Sequence, residues 1–249
     1  MSRPQLDSQR TLGLYGKLPI FGDFVIRQLN SEFVNPWDLW MQEGLTRSRQ
    51  ILGDAWLNYY LEAPIWRFVL GAGTIGYDGW IGIVIPSVDR VGRYFPLTLA
   101  RPINPDVDIT ATYMANNSWF NSLEELGVLA LSQDLNFATF ELQLRETAAP
   151  AVLIDNDTGD ETIPSVERFF LSCCFNLSKP DTGIDWNIRV SNAIAASLKP
   201  ASLWGTQLLE SQTQVLLATE ALPDKDRFCA LLDKKFTAHG WNEAMKLPV

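Results

Sequence analysis

Two apolar runs, Trp80–Pro86 and Tyr94–Arg101, are separated by only the short segment Ser87-Val88-Asp89-Arg90-Val91-Gly92-Arg93. A parallel pair needs a crossover of a dozen or more residues, so this spacing predicts an antiparallel hairpin. A third run, Ile65–Leu70, comes just before and closes at Gly71-Ala72-Gly73. Three successive strands without intervening helices predict a meander and argue against a βαβ repeat.

The flanking segments supply the covering layers. Leu12 to Pro19 reads as a first strand that stops at proline, after a polar tail over residues 1–11. Ile20 to Asn30 reads as a loop around Gly22-Asp23-Phe24. Asn35-Pro36 has the composition of a helix start, with Asn as N-cap and Pro at the first helical position. Trp37, Trp40, Met41, Leu45, Leu52 and Trp56 then recur at helical spacing and predict one apolar face. This helix is expected to run towards Tyr60, with a break near Gly53, and to stop before Pro64.

Further helices are predicted over Ile109–Ser132 and Phe137–Glu146, over Ser165–Phe175 with both adjacent cysteines, and over Asp185–Ser197. Ser202–Thr206 and Gln214–Thr219 predict a closing hairpin. Pro223-Asp224 starts a last helix that buries Phe228, Leu231, Leu232 and Phe236. The expected fold is α+β: a single domain over 1–249, with a largely antiparallel sheet (meander plus C-terminal hairpin) covered by α-helices.

Charge and residue counts narrow the chemistry. The chain has 20 Lys+Arg against 29 Asp+Glu, a net of −9, which disfavours a global grip on nucleic acid or an anionic membrane. Residues 104–185 alone hold fourteen acidic and three basic residues, so an acidic, mostly helical middle separates two near-neutral flanks. No apolar run approaches the ~20 residues of a membrane span, and no secretory leader is evident, so a cytoplasmic location is expected. Cysteines occur only at 173, 174 and 229, which is no disulfide framework and fits a reducing compartment. His239 is the single histidine. It is expected to be a solvated residue at a helix end, with no metal site around it.

Motifs for catalysis fail on inspection. Gly16-Lys17 lacks the spacing and the Ser/Thr of a phosphate loop, since Leu18 and Pro19 follow. The stretch from Ala151 to Thr158 resembles the start of an aspartate-nucleophile phosphatase, with Asp155 and Asp157 as the paired carboxylates. Gly159 stands where that pattern needs a hydroxyl. A calcium loop fails because Asp160 replaces the required glycine and Val166 the bidentate glutamate. Glu124-Glu125, Asp224 and Asp226 read as helix-start or surface carboxylates. Cys173-Cys174 reads as inert apolar packing. No cofactor is implied.

Two loops have a different character. Asp89-Arg90-Val91-Gly92-Arg93 places two arginines and an aspartate on a short turn. That composition suits either an internal Asp–Arg pair or contact with an anionic partner group. Asp23, in the first loop, faces the same choice between turn residue and contact. A candidate partner surface joins these loops, with Lys17 nearby. Asp23, Asp89, Arg90 and Arg93 would supply polar contacts, and Phe24 or Trp66 an apolar anchor. Most of the nine tryptophans are expected in an aromatic core.

Several motifs occur together: Gly13-Leu14-Tyr15-Gly16-Lys17-Leu18-Pro19, Gly22-Asp23-Phe24-Val25, Phe33-Val34 and Pro36-Trp37-Asp38 with Trp40. Ala63-Pro64-Ile65-Trp66-Arg67-Phe68 and Pro86 to Thr98 follow in order, and Ala201-Ser202-Leu203-Trp204 gives a weaker late echo. In this order they resemble the TagF (ImpM) proteins, accessory proteins of the bacterial type VI secretion system. Gly205 departs from the pattern, which has a second tryptophan after Trp204. The resemblance implies a cytoplasmic, non-enzymatic, post-translational repressor of type VI secretion, linked to the forkhead-associated scaffold protein of that system. It carries no phosphatase activity over, because the phosphatase domain fused to some relatives is not found here. The alternatives are a structural or assembly part of the apparatus and an Asp155/Asp157 phosphohydrolase.

Overall fold

The computed structural model describes residues 10–153, 173–177, 201–208 and 213–242. Its centre is one eight-stranded sheet in the order β2-β1-β5-β4-β3-β7-β8-β6. The strands are β1 (Gly13–Lys17), β2 (Phe24–Arg27), β3 (Trp66–Leu70), β4 (Gly79–Ile85), β5 (Leu97–Ile103), β6 (Cys173–Leu177), β7 (Ser202–Leu208) and β8 (Thr213–Thr219). Every pairing among these strands is antiparallel. The meander β3-β4-β5 and the hairpin β7-β8 both form, as the loop lengths require.

Helices cover both faces. One face holds α1 (Ser31–Leu52), α2 (Trp56–Leu61) and α6 (Lys225–Asp233). The other holds α3 (Ile109–Ala115), α4 (Asn117–Ala130) and α5 (Phe137–Glu146). Alternate residues along each strand feed the two cores. Phe68 and Leu70 face α1 and α6, whereas Val69 faces the α3–α5 side. Burial on both faces is why β3 and β4 read as continuous apolar runs rather than as alternating ones.

Several boundaries differ from the sequence reading. Helix α1 starts at Ser31, not at Pro36, because Asn30 is the N-cap and its side chain accepts from the Phe33 N–H. The extra turn buries Phe33 and Val34. Pro36 lies in the second turn at an exposed position and has no N–H to donate to the Glu32 carbonyl. The break expected near Gly53 is present as a 3-10 turn, Gly53–Ala55. The segment read as a loop after Pro19 contains the short edge strand β2.

Tyr94–Phe95–Pro96 is outside β5, and Phe95 packs with the α1 side while Leu97 and Leu99 face the other core. Ile109–Ser132 is two helices, because the buried Asn116 side chain bonds the Thr112 carbonyl and both backbone groups of Ala151. Cys173–Leu177 is a strand, not the end of a helix. Arg10 and Thr11 do not belong to a free tail, since they bond Asp78 and Gln28. Phe236 lies beyond the end of α6, packed against Trp66. The predicted helix over Asp185–Ser197 lies outside the described residues, as do Asp155 and Asp157.

Gly205 now has a physical reason. A Cβ built there would sit 1.7 Å from the Tyr113 hydroxyl oxygen, so the α3 tyrosine fills the space of a side chain on β7. Gly205→Trp is expected to destabilise by about 1–3 kcal/mol through overpacking. Tyr113→Ala should leave a cavity by itself, yet lose less in the double variant than the two single losses sum to. Thermal melts of the three variants check this, and strict additivity would show that the two side chains do not share the space.

Candidate functional site

Asp89 organises the corner where the two loops meet. It follows β4 and is only 3% exposed. Its Oδ2 accepts from Lys17 Nζ at 2.8 Å and from Arg93 Nε at 2.7 Å. Its Oδ1 accepts from the backbone N–H groups of Val91 at 3.0 Å and Arg93 at 2.9 Å. Burial alone would raise the pKa of this carboxyl. The Lys17 ammonium and the Arg93 and Val91 donors outweigh it and hold the group well below the usual carboxylate range. Gly92, at φ 86, supplies the left-handed residue that closes the turn.

The same corner locks to the first loop. The Arg90 N–H donates to the Phe21 carbonyl at 2.8 Å, and the Arg93 guanidinium donates to the Gly22 carbonyl. The Ser87 hydroxyl donates to the Lys17 carbonyl at 2.7 Å. Phe24 stacks on Tyr15 at 5.7 Å and meets Phe95 edge-on at 4.8 Å, with Lys17 Nζ 5.0 Å from its ring centroid. Phe24 nonetheless stays 41% exposed. Asp23 accepts from the Phe24 N–H at 2.8 Å, and the Arg27 guanidinium donates to the Ile26 carbonyl, so side chains occupy part of the β2 edge.

The structure therefore brings Lys17, Asp23, Phe24, Asp89, Arg90 and Arg93 together, but in different roles. Lys17 and Asp89 form a buried ion pair and face each other rather than a partner. Asp23, Phe24, Arg90 and Arg93 are exposed. The Arg90 side chain makes no hydrogen bond or ion pair among the described residues. Trp66 is not part of this surface. It is 3% exposed beneath α6, where its Nε1 donates to the Leu231 carbonyl at 2.8 Å, so it is core and not an anchor.

Two further groups differ from expectation. Glu124 is not a free surface carboxylate: it takes a bidentate pair from Arg67 on β3 at 2.6 and 2.9 Å. Asn117 and Asn121 of α4 accept two further Arg67 N–H donors. The sequence signal was an arginine inside an apolar strand. His239 is not solvated either. Its Nε2 lies 2.8 Å from Asp233 Oδ2, with both side chains buried.

A small apolar cleft with a cavity volume of about 30 Å³ lies between α1, α2, α6 and the sheet. Tyr60 is its single titratable lining residue. Burial raises that phenol's pKa, and the hydroxyl is bonded to both backbone groups of Ser87. The cleft brings no convergent polar groups together. No helix among the described residues is long and apolar enough to cross a membrane.

A two-sided α+β sheet with a rigid, cation-bearing loop corner defines a secretion-associated accessory protein once the comparisons are added. The TagF N-terminal domain, a type VI secretion system-associated family, matches residues 13–147, and the chain belongs to this family. That span contains β1 to β5 and the whole loop corner. The crystal structure of PA0076 from Pseudomonas aeruginosa PAO1 is similar at 28% identity and a TM-score of 0.68, covering 96% of this chain and 98% of that one. No curated protein matches significantly. Family membership assigns the chain an accessory role in type VI secretion.

Proposed function

We propose that this chain is a non-enzymatic, cytoplasmic, post-translational repressor of type VI secretion that acts by binding another component, such as the forkhead-associated scaffold protein. The observation that supports this reading most is the loop corner itself. Asp89 spends its charge internally to fix the backbone, and this leaves Arg90 and Arg93 displayed beside a half-exposed, ring-stacked Phe24. A turn held by internal hydrogen bonds that presents the unpaired Arg90 guanidinium, and the part of the Arg93 guanidinium not engaged by Asp89 and Gly22, next to an aromatic anchor is suited to protein recognition.

The test is a pull-down from a type VI-competent bacterial lysate with the full chain as bait. Enrichment of the scaffold supports sequestration, and recovery of sheath or baseplate parts alone favours a structural role. Arg90→Ala is expected to weaken capture about 10-fold or more while leaving the melting temperature unchanged, because the side chain has no internal partner. Unchanged capture by the folded variant would remove this surface from the proposal. If no type VI component is captured, phosphatase assays of wild type against Asp155→Asn decide for or against the hydrolase alternative.

A further inference from the structure

The end of α6 and the turn after it bring three metal-ligating side chains to one place, far along the chain from the loop corner. One donor atom each from Cys229, Asp233 and His239 lies within 4.8 Å of the other two. Cys229 and Asp233 are four residues apart and share one face of α6. Lys234 then adopts the left-handed conformation, φ 62, and turns the chain so that His239 returns to Asp233. A non-glycine residue there is held against its own preference, so the return of His239 is over-determined by the surrounding fold. The Cys229 thiol is fully buried, reduced and without a hydrogen-bond partner among the described residues.

We propose that Cys229, Asp233 and His239 bind a zinc-class divalent cation. The mixed sulfur, nitrogen and oxygen set is that of zinc rather than of magnesium or calcium. Zinc bonds of about 2.0–2.3 Å in a tetrahedron place donors about 3.3–3.6 Å apart, so the three side chains need adjust by about 1 Å. Charge also balances: one thiolate and one carboxylate neutralise a divalent cation, with a neutral imidazole as the third ligand. A buried site of zero net charge avoids the penalty of an uncompensated ion.

The helix end favours the same occupant, because Cys229 and Asp233 lie in the last two turns of α6, where the dipole is negative. The Lys235 N–H donates to Asp233 Oδ1 at 3.0 Å, which fixes the carboxylate and leaves Oδ2 to turn inward. On binding, the thiol S–H breaks and a metal–sulfur bond forms, the proton leaves to solvent, and no redox change occurs. Asp233 exchanges its contact with His239 for a metal–oxygen bond, and the imidazole proton between them passes to Nδ1, which frees the Nε2 lone pair for the metal and leaves the ring neutral.

The experiment uses the full chain without a histidine tag, stripped of metal and titrated with Co²⁺ and then Zn²⁺. Co²⁺ should produce a thiolate-to-metal charge-transfer band that saturates at about one equivalent and is abolished by Zn²⁺. About one proton should be released per cation. A hundredfold excess of Zn²⁺ over its Kd should raise the melting temperature by about 5–10 °C. Cys229→Ser should remove the band, and His239→Gln should weaken binding at least about 10-fold. Wild-type chain with no band and no melting shift overturns the proposal, and this result does not depend on either variant folding. A band that survives Cys229→Ser overturns it as well, by assigning the thiolate to Cys173 or Cys174.

Discussion

Asp89→Ala is expected to lower folding stability by about 3–5 kcal/mol, the loss typical of breaking a buried ion pair from one side. The carboxylate holds two cations and two backbone N–H groups. Its removal leaves the Lys17 ammonium, 5% exposed, without an anion. Against a typical total of about 5–15 kcal/mol, this one change takes a large share. Arg93→Ala removes the other cation, but that guanidinium is half exposed, so about 1 kcal/mol or less is expected. Replacing both buried partners, Lys17→Met with Asp89→Leu, should recover much of the loss because no charge is left stranded.

Urea denaturation of the four proteins checks this. If Asp89→Ala cost no more than Arg93→Ala, Lys17 would have found another acceptor. The pH dependence follows from the same group. Its folded pKa is depressed below the unfolded value of about 3.9, so its contribution is fully present above that pH and is lost as pH falls towards the folded value. Acid denaturation should therefore be shallower in Asp89→Asn than in wild type, and stability near neutrality should show no slope from this group.

The elements legible in the sequence were those whose local pattern admits a single geometry. The short link between β4 and β5 leaves no room for a crossover, and the Phe137–Glu146 periodicity gives α5 at its observed bounds. Errors arose where two local signals competed and tertiary burial decided. Asn30 and Asn35 are both good caps, and burial of Phe33 and Val34 selects Asn30. Cys173-Cys174-Phe175 has no period of its own, and pairing with β8 makes it a strand. The candidate loops could be found because glycine, aspartate and arginine cluster there. Their internal wiring could not, since Lys17 and Asp89 are 72 residues apart in sequence, and only the fold shows that they neutralise each other. The same limit explains Trp66, whose α6 partner, Leu231, is 165 residues away.

Trp37→Ala should be the second large loss, about 3–5 kcal/mol, because it empties the centre of the aromatic core. Trp37 is completely buried and meets Phe33, Trp40 and Phe68 at 4.8–5.1 Å, with Trp204 stacked at 6.1 Å. Its Nε1 also donates to the Thr98 hydroxyl at 2.9 Å, and Thr98 is itself fully buried on β5. Trp37→Phe keeps an aromatic ring but leaves that hydroxyl without its donor, so about 1–3 kcal/mol is expected. The difference between the two variants separates the volume term from the hydrogen bond. Equilibrium denaturation gives both numbers, and equal losses would mean that the hydrogen bond dominates. Partner capture gives the complementary readout. The core reaches the exposed corner through side chains other than Trp37: Tyr15, whose hydroxyl donates to Asp38 on α1 and whose ring stacks on Phe24, Phe95, which meets Phe24 edge-on, and Tyr60, which bonds Ser87. Trp37→Ala should therefore reduce capture only as far as it lowers the folded fraction, whereas Arg90→Ala should reduce capture at full folding. If the folded Trp37 variant lost capture while Arg90→Ala kept it, the binding surface would lie on the α1 side of the sheet rather than at the Asp89 corner.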